Sequence, residues 1–254
     1  MIQTGETMSM SKNIAVVLVQ AQHPGNIGSV ARAMKNMHLE HLMLVQPELF
    51  PSAKATARAS GADDILAQAS VCQSLDEAIA GCGLVLGASA RMRRLTWPQV
   101  DARQCAEKVI AEARHTPVAI VFGREHSGLT NEELERCHYL VNIPSNPAYS
   151  SLNLAAAVQV IAYELMMAAQ QAQSLVSPAE STVLPQEAPA TAEQMQGFFE
   201  HLFAVLAEIG FLNTEHPRKM SRRLKRLFNK AQLEKVEVNI LRGILATMQK
   251  KLSE

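Results

Sequence analysis

Aromatic side chains are scarce in this chain: one Trp, three Tyr and seven Phe among 254 residues. A core of ordinary size must therefore be built from Ala, Val, Ile, Leu and the 12 Met. Cysteine is sparse too. Cys72, Cys82, Cys105 and Cys137 lie 10, 23 and 32 positions apart, which is neither a CxxC zinc pattern nor a dense disulfide framework. No metal-ligand spacing occurs elsewhere, so no metal is expected. GxGxxG and GK[ST] are both missing, which disfavours a nicotinamide dehydrogenase and a P-loop nucleotidase. No apolar run approaches the ~20 residues that span a bilayer. Met1–Ser11 is polar, without the apolar stretch of a secretory signal, so a cytoplasmic protein with no membrane partner is expected.

What is present is 48% hydrophobic and 19% charged, a globular balance that excludes wholesale disorder. The length suits one large domain or two unequal ones. A formal net charge of zero hides a strong asymmetry. Residues 1–173 hold 13 Lys/Arg against 15 Asp/Glu, and 174–214 hold five acids with no Lys or Arg. Residues 215–254 hold 11 Lys/Arg against four acids, a net of +7. Such segregation points to an anionic partner for the C-terminal part.

Short apolar runs predict buried strands at Ile14–Val19, Leu42–Val45, Leu84–Leu86, Val118–Phe122 and Leu140–Ile143. Helical patterns lie between them at 29–37, 53–60, 74–80, 102–114 and 130–136, with a long one at 152–172. Strands alternating with helices imply an α/β fold, a parallel sheet flanked by helices. Ligands then bind at the carboxyl ends of the strands. The Ser/Pro/Glu-rich stretch 174–190 reads as a linker. Beyond it, Thr191 is a plausible N-cap for a helix to about Ile209; a basic helix follows His216-Pro217, and a third covers 234–251. A three-helix tail of this size is marginal alone and is expected to pack on a partner.

Four segments at strand ends can carry chemistry. His23-Pro24-Gly25-Asn26-Ile27-Gly28-Ser29 follows the first strand and can make a backbone anion cradle, with Arg32 about one turn into the helix. A plain βα turn is the simpler reading of that segment by itself. Leu86-Gly87-Ala88-Ser89-Ala90 lets a ligand approach the backbone closely. It runs into Arg91, Arg93 and Arg94 beside Trp97, a cationic loop suited to RNA phosphates and bases, or simply a solvated charge run. Phe122-Gly123-Arg124-Glu125 precedes a helix capped by Thr130 or Asn131, and Glu125 can pair structurally with an arginine. Ile143-Pro144 to Asn153 is a Pro-rich polar loop leading into an alanine-rich helix. All four fall on one edge of the sheet.

PGNIGSVAR (24–32), FGREHSGLTNEE (122–133) and IPSNPAYSSLNLAAAVQV (143–160) resemble the three signature motifs of the SPOUT methyltransferases. Residues 12–172 resemble the branch of that superfamily that methylates tRNA ribose and carries a helical extension. The part from about 174 onward is similar only in helical character and charge. The resemblance implies a C-terminal trefoil knot, although true knots are essentially absent from proteins in general. It implies S-adenosylmethionine as methyl donor and S-adenosylhomocysteine as product, with no metal. By match, Ala88, Ser89, Ala90, Gly123, Ile143, Ser150, Ser151 and Leu152 are the implied cofactor contacts. Arg32 matches the family's catalytic arginine, and Asn26 completes motif one. Tyr149 and Ser151 match residues lining the ribose, Glu125 a motif-two carboxylate, and Asn153 a motif-three amide. A guanidinium, with a pKa of about 12.5 or above, is an unusual base, so a bidentate grip on a neighbouring phosphate is the favoured role for Arg32.

The substrate implied is the 2′-hydroxyl of cytidine or uridine 32 in the tRNA anticodon loop, and the assembly implied is a homodimer. Arg218, Lys219, Arg222, Arg223, Lys225 and Arg226 fit a grip on the tRNA backbone. The domain division implied is a methyltransferase domain over 12–173, a linker over 174–190 and a tRNA-binding extension over 191–254. Methylation of ribosomal RNA or another tRNA position, or a non-catalytic RNA-binding knot protein, are the alternatives.

Overall fold

Ile14–Val19 has no polar face, as a strand covered on both sides requires. A computed structural model, which describes residues 12–90, 97–174, 188–212 and 218–252, makes it β1 of a seven-stranded sheet. The others are β2 (His41–Val45), β3 (Ser70–Cys72), β4 (Leu84–Ala88), β5 (Gln99–Asp101), β6 (Val118–Phe122) and β7 (Tyr139–Asn142). Their spatial order is β3-β2-β1-β6-β4-β7-β5, and every pairing is parallel. The five expected strands are present within a residue or two. The unexpected β3 and β5 are three-residue edge strands, too short to show a period.

Successive side chains of a strand point to opposite faces, and here each face has its own core. Val16 and Leu18 join Leu44, Leu86 and Ile120 beneath α1 (Pro24–Asn36), α2 (Ala53–Ala59), α3 (Asp63–Ala67), α5 (Ala102–Glu112) and α7 (Leu154–Ser174). Val17 and Val19 join Val85, Val121 and Trp97 beneath α4 (Leu75–Ile79) and α6 (Asn131–Leu134). All four cysteines are buried free thiols, and burial pushes Cys82 up to about 11 and Cys105 and Cys137 up to about 12. They are packing residues.

The first helix begins five residues earlier than expected. Pro24 occupies its first turn, where the missing N–H costs nothing, after an extended His23. Gly25 and Gly28 therefore lie inside α1 rather than in a turn. A Cβ on Gly28 would stand 2.0 Å from the Ala55 carbonyl oxygen, so this glycine serves the backbone-to-backbone approach of α1 and α2.

The C-terminal helices are α8 (Ala192–Glu208), α9 (Arg218–Ala231) and α10 (Lys235–Leu252). Thr191 caps α8 as expected, in a reciprocal capping box with Gln194. Phe198, Phe199, Leu202, Val205, Val238 and Leu245 form a small core, with Phe228 edge-on to Phe198 at 4.9 Å. This extension packs on its own chain. Ala192 N–H donates to the Cys82 carbonyl at 2.8 Å, and the buried Asn229 amide donates to the Glu135 carbonyl at 3.2 Å. Most of the expected linker, residues 175–187, lies outside the described residues.

Because the added methyl would meet backbone, Gly28→Ala should cost about 1–3 kcal/mol of stability by urea unfolding, as overpacking typically does. A change below about 0.5 kcal/mol, the range of an ordinary surface substitution, would contradict the close α1–α2 contact.

Candidate functional site

Strands β6, β4 and β7 are neighbours, so their carboxyl ends open side by side. The loops that follow enclose a cleft walled by Ala88, Ser89, Ala90, Gly123, Ile143, Ser150, Ser151 and Leu152. All eight residues named from the motifs as cofactor contacts therefore meet at one place. Val141, Leu154 and Phe122 give the cleft an apolar floor, and Glu125, His126 and Ser127 form its rim. Ser89 N–H donates to the Val141 carbonyl at 3.0 Å, and the Asn142 amide donates to the Ser89 carbonyl at 3.3 Å. These bonds fix the 88–90 segment against the end of β7. A Cβ on Gly123 would fall 2.2 Å from the Gly128 carbonyl carbon, so the base of the 123–128 loop closes only on glycine.

Glu125 is the centre of the polar side of the site. Among the described residues no arginine is ion-paired with it. Its Oε2 accepts the Gln22 N–H at 3.0 Å, and its Oε1 accepts the His23 N–H at 3.1 Å and the Asn26 amide at 2.9 Å. The anion cradle anticipated before α1 is thus real but filled by the chain's own carboxylate. Asn26 in turn accepts at Oδ1 from the Asn153 amide at 3.2 Å, and Asn153 accepts the Ala155 N–H at 2.9 Å, capping α7. One residue from each motif enters this chain of bonds. Partial burial opposes ionisation of Glu125, but the bonds from Asn26, Gln22 and His23 outweigh it and hold the carboxyl below its ordinary range.

Arg124 turns the other way, onto Glu133, with which it makes a two-point ion pair at 3.0 and 2.9 Å. Glu133 also completes a capping box with Thr130 at the start of α6. Sequence reasoning assigned no role to Arg124, Glu133 or Gln20, which join in this network. The Thr130/Glu133 cap was legible from its spacing, whereas the partners of Arg124 had no local signal.

Of the matched residues, Arg32 and Tyr149 join neither the cleft wall nor this chain of bonds. Arg32 is exposed on α1, eight residues from its start, more than two turns rather than one. Tyr149 is 82% exposed at the tip of the 143–153 loop. Of the cationic residues, Arg91, Arg93 and Arg94 and the side chains of Arg218 and Lys219 lie outside the described residues. Arg222 and Lys225, expected to face RNA, are half-buried and ion-paired with Glu135. Arg223 is exposed and Arg226 half-buried on the same helix. Among the described residues no cluster of three His, Cys, Asp or Glu offers a metal site, and no helix is long and apolar enough to cross a membrane.

Residues 13–163 match the sequence model of the SpoU rRNA Methylase family. The chain belongs to the SpoU methylase family. Residues 193–254 match the model of the tRNA methyltransferase TrmJ C-terminal domain, so the extension belongs with the same group of enzymes. Among curated SpoU relatives, the tRNA (cytidine/uridine-2′-O-)-methyltransferase TrmJ of Cronobacter sakazakii is 50% identical over 96% of this chain and 99% of its own length. The tRNA (cytidine/uridine/adenosine-2′-O-)-methyltransferase TrmJ of Pseudomonas aeruginosa is 51% identical over 95% of each chain. The crystal structure of TrmJ from Z. mobilis ZM4 superposes with a TM-score of 0.80 at 33% identity, covering 92% of this chain and 98% of that one. The resemblance of the three motifs is thereby borne out, and the likeness extends through the C-terminal helices.

The depressed ionisation of Glu125 has a definite sign. Its bonds stabilise the fold fully above its ordinary value of 4.5 and are lost as the pH falls through the lower folded value. The stability gap between wild type and Glu125→Gln, measured by chemical unfolding, should be largest near neutrality and shrink below about pH 4.5. A gap of constant size down to about pH 3 would contradict the hydrogen-bonded carboxylate.

Proposed function

We propose that this chain transfers a methyl group from S-adenosylmethionine to the 2′-hydroxyl of cytidine or uridine 32 in the tRNA anticodon loop, leaving S-adenosylhomocysteine. The observation that carries the reading is the convergence of Ala88–Ala90, Gly123, Ile143 and Ser150–Leu152 on one cleft. The chemistry of those walls fits the donor. Small side chains expose backbone groups to a purine edge, Val141, Leu152 and Leu154 offer it an apolar bed, and the Glu125 carboxylate at the rim suits a cationic sulfonium. When bound, S-adenosylmethionine supplies an electrophilic methyl group, and the rest is orientation of the ribose and removal of one proton.

The Glu125–Asn26–Asn153 chain sets the relative position of the three motifs. With its donors and acceptors satisfied inside the protein, it acts by positioning. Ser151 lies on the cleft wall, where its hydroxyl meets an incoming ribose. Arg32 and Tyr149 are exposed and so remain available to the RNA, Arg32 to grip the phosphate next to the reacting nucleotide. Arg223 and the exposed Lys230 extend a cationic surface along α9, while Arg222 and Lys225 dock that helix through Glu135.

The division into a methyltransferase domain over 12–173 and a tRNA-binding extension over 191–254 belongs to the same reading, as does a cytoplasmic location. The trefoil knot belongs to this reading too: the 122–128 and 143–152 segments wall one cleft, and α7 packs on α1 and α5, as such a return of the chain requires. A homodimer is supported by the outer face of α7, where Val160, Tyr163 and Met167 recur at helical spacing and are each more than a third exposed.

Label from methyl-labelled S-adenosylmethionine, mapped by nuclease digestion of bulk tRNA, should be confined to nucleotide 32 and absent from tRNA already methylated there. Label at another nucleotide would overturn the assigned position, and no label with donor still bound would overturn the catalytic reading. Arg32→Ala should lower transfer by about a hundredfold or more while leaving donor binding within about twofold. Equal loss of both in calorimetry and in the transfer assay would remove Arg32 from the RNA side of the reaction.

A further inference from the structure

We infer that Arg124, to which the motif match gives no part, positions the 123–128 wall of the methyl-donor cleft. Its guanidinium makes four hydrogen bonds. Two run to the Glu133 carboxylate, one from Nη1 to the Gly128 carbonyl at 3.3 Å, and one from Nε to Gln20 Oε1 at 2.7 Å. The Gly128 N–H donates back to the Arg124 carbonyl at 2.9 Å, and Gly128 itself has φ +69°, so the loop is clamped across its base from both sides. Gly123, immediately before that clamp and in contact with its Gly128 end, walls the cleft, and Glu125, the next residue after Arg124, links motif one and motif three. One side chain thus fixes the base of the segment that serves both.

The clamp is anchored in the sheet. Gln20 ends β1 in the left-handed region at φ 48°, and its amide donates to Gln46 Oε1 at 3.0 Å. Gln46, likewise left-handed at φ 45°, ends β2 and donates to the Gln73 carbonyl, just past β3, at 2.7 Å. Left-handed backbone at a non-glycine residue persists only where its surroundings hold it, and such strain gathers at functional sites. Here the two side chains form a relay along the strand ends: the Gln20 oxygen accepts from Arg124, the Gln46 oxygen accepts from Gln20, and Gln46 donates onward to the Gln73 carbonyl. Burial opposes ionisation of Glu133, yet the bonds from Arg124 and Thr130 keep it charged, so the ion pair is intact at neutral pH. A lysine keeps the charge at position 124 but cannot reproduce the fork that reaches Glu133, Gly128 and Gln20 together.

This inference rests on the cleft's being the donor site. Arg124→Lys should raise the Kd for S-adenosylhomocysteine by calorimetry, and the KM for S-adenosylmethionine, about tenfold, with kcat at saturating donor and KM for tRNA within about threefold. Glu133→Gln should give the same pattern, and the double variant little more, because both remove one interaction. Gln20→Ala, which deletes the bond from Arg124 and the bond to Gln46, should shift donor binding the same way by about two- to threefold. Unchanged donor binding, or a fall in kcat with donor KM unchanged, would overturn the role. Failure of the wild-type chain to bind S-adenosylhomocysteine would defeat the donor-site reading instead. Hydrogen exchange then decides for Arg124: the Lys variant must accelerate exchange at the amides of 125–129 but not in β1, and equal rates would overturn it.

Discussion

A single carboxylate holds together segments that are about a hundred residues apart in the chain. Glu125 accepts two backbone N–H groups ahead of α1 and one amide N–H from Asn26 within it. Charge-assisted bonds of this kind are short and directional, so the start of α1 is fixed relative to the end of β6. The Asn26 oxygen then accepts from the Asn153 amide at the mouth of α7. Each amide in the row can point only one way. The three motifs are registered to one another by a line of hydrogen bonds.

The sheet provides the platform on which this registration matters. Parallel strands buried on both faces leave only their carboxyl ends for chemistry, and the strand order places β6, β4 and β7 together. Small residues and backbone form the walls of the cleft, whereas Arg32 and Tyr149 stand exposed outside them. The basic α9 is fastened at Glu135, two residues beyond Glu133, with which Arg124 pairs. The short run from Gly123 to Glu135 therefore carries the cleft wall, the link between motifs and the seat of the C-terminal extension.

Much of this was legible in the sequence, for identifiable reasons. Uninterrupted apolar runs such as Ile14–Val19 and Val118–Phe122 mark strands covered on both faces, and Thr191 marks a helix start through its capping chemistry. The edge strands Ser70–Cys72 and Gln99–Asp101 were not legible, since three residues carry no period. Gly25 and Gly28 suggested a turn, but Pro24 preorganises a helix there, and Gly28 is required by contact with Ala55, far enough along the chain to be invisible to local pattern. The eight cleft residues came from motif likeness, and the structure gathers them. What no local pattern could reveal was partnership: that Glu125 binds the backbone N–H groups of Gln22 and His23, that Arg124 reaches Glu133, and that Arg222 and Lys225 are drawn to Glu135.

The most direct measurement is residue-resolved hydrogen exchange on Glu125→Gln against wild type at neutral pH. If one carboxylate registers all three motifs, protection must fall together at the Gln22 and His23 amides and at the Ala155 amide, which is reached only through Asn26 and Asn153. Loss of protection at Gln22 and His23 alone, with Ala155 unchanged, would contradict the account and leave Glu125 as a local cap.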